Sequence, residues 1–163
     1  MKKLLVVLAC GLFVGCDYTV PLVTAPETEI DSEVLGLWQS STENGQIEQL
    51  LVLPLGKHEY LVSYPSGAKD AMFARACLCR VGDRTLVQLK WFGTADAKLP
   101  DDGRVFQFLT YSLKDDRITV RLLNSEIVNK DVASADELAK AIVANQDKPN
   151  LFKEGVVFTK VKK

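Results

Sequence analysis

Runs of β-branched and aromatic residues follow one another at short, regular spacing with turn residues between them, and this rhythm confines the chain to a mainly β fold. The strand candidates are residues 34–41, 46–55, 58–64, 72–81, 85–92, 105–113 and 117–123, with an eighth at 155–161. The breaks carry turn chemistry. Asn44-Gly45 is the strongest short hairpin signal, Gly56-Lys57 and Gly82-Asp83 suit tight turns, and Asp115-Asp116 closes another. Residues 93–104, with Pro100, Asp101, Asp102 and Gly103, read as an open loop.

One helix interrupts the series. Ser134-Ala135-Asp136-Glu137 matches a capping box, in which the hydroxyl and the carboxylate each satisfy an amide at the helix start. Leu138, Ala141, Ile142 and Asn145 then share a face, and Pro149 ends the segment. Within the fifth run, Thr85, Val87, Leu89 and Trp91 point one way while Gln88 and Lys90 point the other, the pattern of a sheet with one dry and one wet side. Ile118, Val120 and Leu122 against Thr119 and Arg121 repeat it. Seven consecutive strands, a helix and one more strand predict an antiparallel eight-stranded meander barrel with one helix before the last strand, since closure removes exposed edges. Gly36-Leu37-Trp38 on the first strand, behind an irregular segment, resembles the Gly-x-Trp of the lipocalin-like, or calycin, barrels. The resemblance implies that Trp38 plugs one end of the barrel.

The N-terminus carries an address. Met1-Lys2-Lys3 forms a positive n-region, and residues 4–14 form an apolar h-region too short to span a bilayer. Leu12-Phe13-Val14-Gly15-Cys16 resembles the lipobox of bacterial lipoproteins, which implies cleavage before Cys16 and lipidation of its thiol. Cys10 follows a small residue too, but would leave an h-region of about six residues, below the usual range. The expected organisation is a signal peptide over residues 1–15, a lipidated N-terminus and extended tether over 16–32, and a barrel domain over 33–163. Several acyl chains on one cysteine, each buried methylene contributing about 0.8 kcal/mol, make such anchoring effectively permanent. Asp17 resembles the signal that retains enterobacterial lipoproteins in the inner membrane; the inner and outer membranes both stay open.

Processing would leave 148 of the 163 residues, enough for one domain. Lys2 and Lys3 leave with the signal, so 20 basic residues become 18 against 21 acidic ones, a net charge of −3. Such a domain has no electrostatic reason to bind nucleic acid or to lie on anionic lipid. The closing Lys160, Lys162 and Lys163 read as a solvated strand terminus.

Cys77 and Cys79, two positions apart on a strand, have Cβ atoms roughly 6.5 Å apart, beyond the ~3.5–4.5 Å of a disulfide. Buried structural thiols are the first reading and a soft-metal pair the second. The metal pair lacks partners, because the chain has one histidine, His58, and Met72 as its one methionine besides the initiator. His58 follows a turn and reads as a solvated surface side chain. Asp101-Asp102 and Asp115-Asp116 read as turn formers. Without a phosphate loop, a His-Glu-x-x-His or a Gly-x-Ser-x-Gly, the expectation is no enzyme, no catalytic residue, no metal and no cofactor. Arg75 lies either on the outer wall or in a polar patch inside.

The functional expectation is an envelope lipoprotein that binds a small apolar or amphipathic ligand inside its barrel, lined by Trp38, Leu51, Leu53, Val87, Leu89, Trp91 and Val120. The alternative is a ligand-free scaffold or partner-binding lipoprotein.

Overall fold

A computed structural model describes residues 18–42 and 44–162. Cys10, Cys16, Asp17, Lys163 and the whole expected signal peptide lie outside the described residues. Each sequence run yields one strand: β1 (Gly36–Ser41), β2 (Ile47–Pro54), β3 (Tyr60–Tyr64), β4 (Met72–Val81), β5 (Arg84–Thr94), β6 (Phe106–Lys114), β7 (Arg117–Leu122) and, after helix α1 (Ala135–Ala144), β8 (Val156–Lys160). All neighbours are antiparallel, and β8 pairs back onto β1 to close the barrel. The closing seam is short, with Trp38 opposite Lys160 and Gln39 opposite Thr159.

Antiparallel connection in strand order gives the barrel two rims. One carries the turns after β2, β4 and β6 together with the start of β1. There, at Gly82, the φ of +58° favours a glycine, and an added Cβ would sit 3.4 Å from Val143 of α1. The opposite rim carries the 42–46 turn, the 65–71 connection, the 95–105 loop and the exit of β7.

A 3-10 turn at Ser32–Val34 closes the first rim. It is held there by Asp31, whose amide donates to the Tyr60 hydroxyl at 2.6 Å and whose carboxylate accepts from the Tyr111 hydroxyl at 2.9 Å. Burial first, then the Asp31 carboxylate, pushes the Tyr111 hydroxyl well above the ordinary phenol range.

Two apolar clusters result. The inner one contains Trp38, Leu50, Val52, Leu78, Val87, Leu89, Trp91 and Phe158. The outer one lies on the far side of β4, β5 and β6, where Cys79, Val81, Leu86, Phe106 and Phe108 are covered by Tyr18, by Val128 and Val132, and by Leu138 and Ile142 of α1. The helix starts as its capping box requires. The Ser134 hydroxyl accepts from the Glu137 amide at 3.2 Å, while the Glu137 carboxylate accepts from the amide of Ala133, one residue earlier than the motif's usual partner.

The expected tether is corrected by this packing. Tyr18 is 1% exposed, and it exchanges both backbone bonds with Phe106, at 3.1 and 3.0 Å. Its hydroxyl donates to the Val128 carbonyl at 2.9 Å, and its ring meets Phe108 edge to face. Farther along, the Gln88 side chain accepts from the amides of Leu22 and Val23 at 2.6 and 3.1 Å and donates to the Val23 carbonyl at 2.9 Å. Residues 18–23 therefore form a strap on the outer wall, and residues 30–35 turn over the first rim to join the inner cluster. A side chain with a carbonyl and an amide can satisfy a passing backbone in both directions, which is why Gln88 is buried on the face that alternation assigns to water.

Candidate functional site

The barrel interior is the place where a ligand was expected. It holds an apolar cavity of about 60 Å³, bordered by Val34, Leu50, Val52, Val87, Leu89 and Val120, with Tyr60 and Tyr111 toward the closed rim. Val87, Leu89 and Val120 stand where the sequence placed them. Trp38 and Trp91 belong to the same inner core but do not border the cavity.

Trp38 is 1% exposed, and its indole N–H donates to the Val34 carbonyl at 2.9 Å. Lys160 crosses this end of the barrel, its ammonium 4.9 Å from the indole ring centre and donating to the Glu33 carbonyl at 3.0 Å. Lys160 is thus a closing element and departs from the solvated terminus expected, while Lys162 is exposed as expected. Gly36 stands opposite, and its φ of +130°, a conformation L side chains rarely adopt, is what favours glycine at this position of the motif. Trp91 lies nearer the other rim, with its indole N–H donating to Gln107 at 3.0 Å.

Leu51 and Leu53 are corrections. Leu50 pairs with Trp38 and Val52 with Gly36, so the inward positions of β2 are 50 and 52, and Leu51 and Leu53 face outward. Leu53 is 40% exposed. Four apolar residues in succession, Leu50 to Leu53, carry no mark of which pair is inside, and a shift of one position reverses every side chain.

The thiols lie on the outer wall. Cys77 and Cys79 are free and buried, beneath the strap and the outer cluster. Burial is the main cause that pushes Cys77 up to about 11 and Cys79 to about 12. Thiols held protonated in this way are poor nucleophiles and poor metal ligands at neutral pH. Arg75 is on the same outer face, its guanidinium donating to the Glu59 carboxylate through Nε at 3.1 Å and through a second, shorter bond. His58 is half-buried, not solvated, because its turn is tied to the rim-closing segment by the Ile30 amide donating to the Lys57 carbonyl; its Nδ1 has no hydrogen-bond partner among the described residues.

Surface hollows are larger and open. One, of about 420 Å³, runs between the strap and the wall past Pro21, Val23, Arg75, Cys77 and Lys90. Another, of about 290 Å³, lies under the 95–105 loop beside Trp91 and Arg104. Among the described residues the first contains no hydroxyl or thiol nucleophile hydrogen-bonded to a base; in the second the Thr94 hydroxyl donates to the Asp96 carboxylate at 2.5 Å, and that carboxylate is held in an ion pair by Lys98. Among the described residues, no group of three or more His, Cys, Asp or Glu side chains is placed to hold a metal ion, and no helix is long and apolar enough to cross a membrane.

Comparison with protein-family models, with curated proteins and with solved structures returned no match.

Proposed function

We propose that this chain is a lipid-anchored protein of the bacterial cell envelope whose barrel serves as a filled scaffold and presents its outer surface to an envelope partner. The observation that carries this reading is the interior volume. Small-molecule sites span about 300–1,000 Å³, and the cavity here is about 60 Å³. An acyl chain does not fit that space without repacking the core, and close-packed interiors resist repacking.

Anchoring rests on the lipobox-like Leu12-Phe13-Val14-Gly15-Cys16 behind a short apolar run. Replacing Cys16 with alanine should abolish incorporation of labelled palmitate and leave an unprocessed precursor. Acylation that persists in Cys16→Ala would move the anchor to another residue, with Cys10 the first candidate. Asp17 favours retention in the inner membrane; density fractionation of the envelope reads this directly.

The carrier reading keeps one observation in its favour: the cavity wall is apolar throughout, which suits a small apolar molecule. Native mass spectrometry of the purified soluble domain separates the two. The scaffold reading expects the bare polypeptide mass. A co-purified lipid, recovered again by organic extraction, would replace the scaffold reading with the carrier one.

A further inference from the structure

A free tether over residues 17–32 would hold the barrel as much as roughly 50 Å from the lipid and leave its orientation unset. The strap removes that freedom. Tyr18 is fixed by two backbone bonds to the first residue of β6, by its hydroxyl on Val128 and by burial to 1% exposure. Two peptide links separate Cys16 from Tyr18, so the anchored residue lies within about 7 Å of a rigid point on the barrel whatever path it takes.

That point belongs to one rim. Phe106 begins β6 directly after the 95–105 loop, and Thr19 approaches within 3.8 Å of where a Cβ on Gly103 would stand. This is the rim opposite the 3-10 turn. Of the exposed large apolar side chains, the two most exposed are Leu99 at 77% and Ile47 at 64%. Both are on this rim: Leu99 at the tip of the loop after β5, Ile47 where the β1–β2 turn enters β2. In a ring of eight strands these connections are diametrically opposed. Lys69, Lys98 and Arg104 on the same rim are outnumbered by Asp70, Asp96, Asp101, Asp102 and Asp131, the last paired with Arg104, so charge does not draw the rim to anionic lipid and the contact rests on the anchor and the apolar side chains.

We infer that the loop rim rests on the bilayer that holds the anchor, with Leu99 and Ile47 entering the interfacial region of the leaflet and the 3-10-capped rim turned away from it. The inference rests on the lipid-anchor reading above. A single exposed leucine binds a membrane weakly. Carried on the same rim as a point held within about 7 Å of the anchored residue, it meets the interface at an effective concentration that makes even weak burial frequent. The anchor supplies proximity and the strap supplies orientation.

The test uses the full lipidated chain in vesicles of phosphatidylethanolamine and phosphatidylglycerol. A polarity-sensitive dye is attached through Leu99→Cys in one sample and through Leu55→Cys, on the β2–β3 turn of the opposite rim, in another. The covered, protonated thiols of Cys77 and Cys79 should leave the introduced cysteine as the labelled one. Quenching by headgroup-proximal spin-labelled lipid should be several-fold stronger at position 99 than at 55, with a blue-shifted emission only at 99. Equal quenching at the two positions, or stronger quenching at 55, overturns the orientation. Flotation of the same samples keeps the two readings apart. Protein that floats with the vesicles but shows no preferential quenching refutes the orientation alone; protein that does not float refutes the anchor and the orientation with it. Inserting a long Gly/Ser segment between Cys16 and Tyr18 should leave flotation intact and lower quenching at 99 to the level at 55. Undiminished quenching there would show that the short anchor does not set the orientation.

Discussion

Inside the barrel, Trp38, Leu78 and Phe158 are buried by strands of one continuous meander. On the outside of β4 and β6, Cys79 and Phe108 are buried just as deeply, by a strap from one end of the chain and a helix near the other. The inner cluster is self-contained, because each strand supplies both wall and filling. The outer cluster exists only when segments outside the eight strands of the ring come to rest on the wall. A β-sheet has two faces, and closing it into a barrel dries only one of them. The second face must be dried by additional chain, and here about a third of the residues do that work.

If both clusters are integral to one cooperative unit, damage to either should lower the stability of the whole. The largest effect is expected at Trp38. In a Trp91→Phe background, Trp38→Ala should cost about 3–5 kcal/mol, read as a fall in the denaturant midpoint. An unchanged midpoint would remove the indole from the inner core's contribution. The emission of Trp38 in the same background should be blue-shifted and poorly reached by external quenchers.

Leu138→Ala sharpens the comparison from the other side. Leu138 is fully buried on the sheet-facing side of α1, and a well-packed outer layer predicts a loss of about 3 kcal/mol in the same two-state transition. A loss below about 1 kcal/mol, or a separate early transition, would mean that α1 docks on a barrel that is stable without it.

Gln88→Ala tests the strap. It removes the three hydrogen bonds to the strap and strands the amides of Leu22 and Val23, at a cost of about 1–3 kcal/mol. Hydrogen exchange should accelerate at those two amides while the amides of β6 and β7 keep their protection. Uniform acceleration would show that the strap unfolds only with the barrel.

The smallest effect concerns the thiols. At neutral pH Cys77 and Cys79 should resist maleimide in the folded protein, and both should react after denaturation without reductant. Their pKa values are raised on folding, to about 11 and about 12, so their contribution is complete below the unfolded thiol value of ~8.5 and is lost as pH rises through the folded values. The stability gap between the parent and a Cys77→Ala, Cys79→Ala double variant should therefore narrow between about pH 8 and pH 10.5. A gap that stays constant would locate the thiols in contact with water.

The ring of strands was legible because its signals are local. Thr85 to Trp91 shows its period within seven residues, and Gly82-Asp83 announces its turn without help from elsewhere. The side of β2 that faces inward was not legible, since Leu50 to Leu53 satisfies either register and the choice is made by Trp38 across the ladder. The strap was illegible for a related reason. Tyr18, Val20, Leu22 and Val23 bury themselves without helical or strand periodicity, among prolines that read as linker, and their partners at Gln88, Phe106 and Val128 are remote in the chain. Burial by a docked extended segment leaves no period to detect. Val87, Leu89 and Val120 were found as cavity lining because they sit on clean alternating strands; the cavity's size follows from the summed shapes of all eight strands and cannot be read from any one of them.

The seam between β1 and β8 sets an order of events in time. Trp38 must find Lys160 across almost the whole length of the chain, and the β8 side of this seam is the last strand to be synthesised and delivered. Until it arrives, seven strands form an open sheet whose two border strands, β1 and β7, present unpaired backbone to any neighbouring molecule. A chain arriving N-terminus first would therefore pass through an adhesive stage that ends only when β8, Val156–Lys160, completes the ring, and contacts of such long range close slowly. Shortening the chain within 156–160 would make that passing stage permanent, so that the expected phenotype is self-association between copies and not merely a looser monomer.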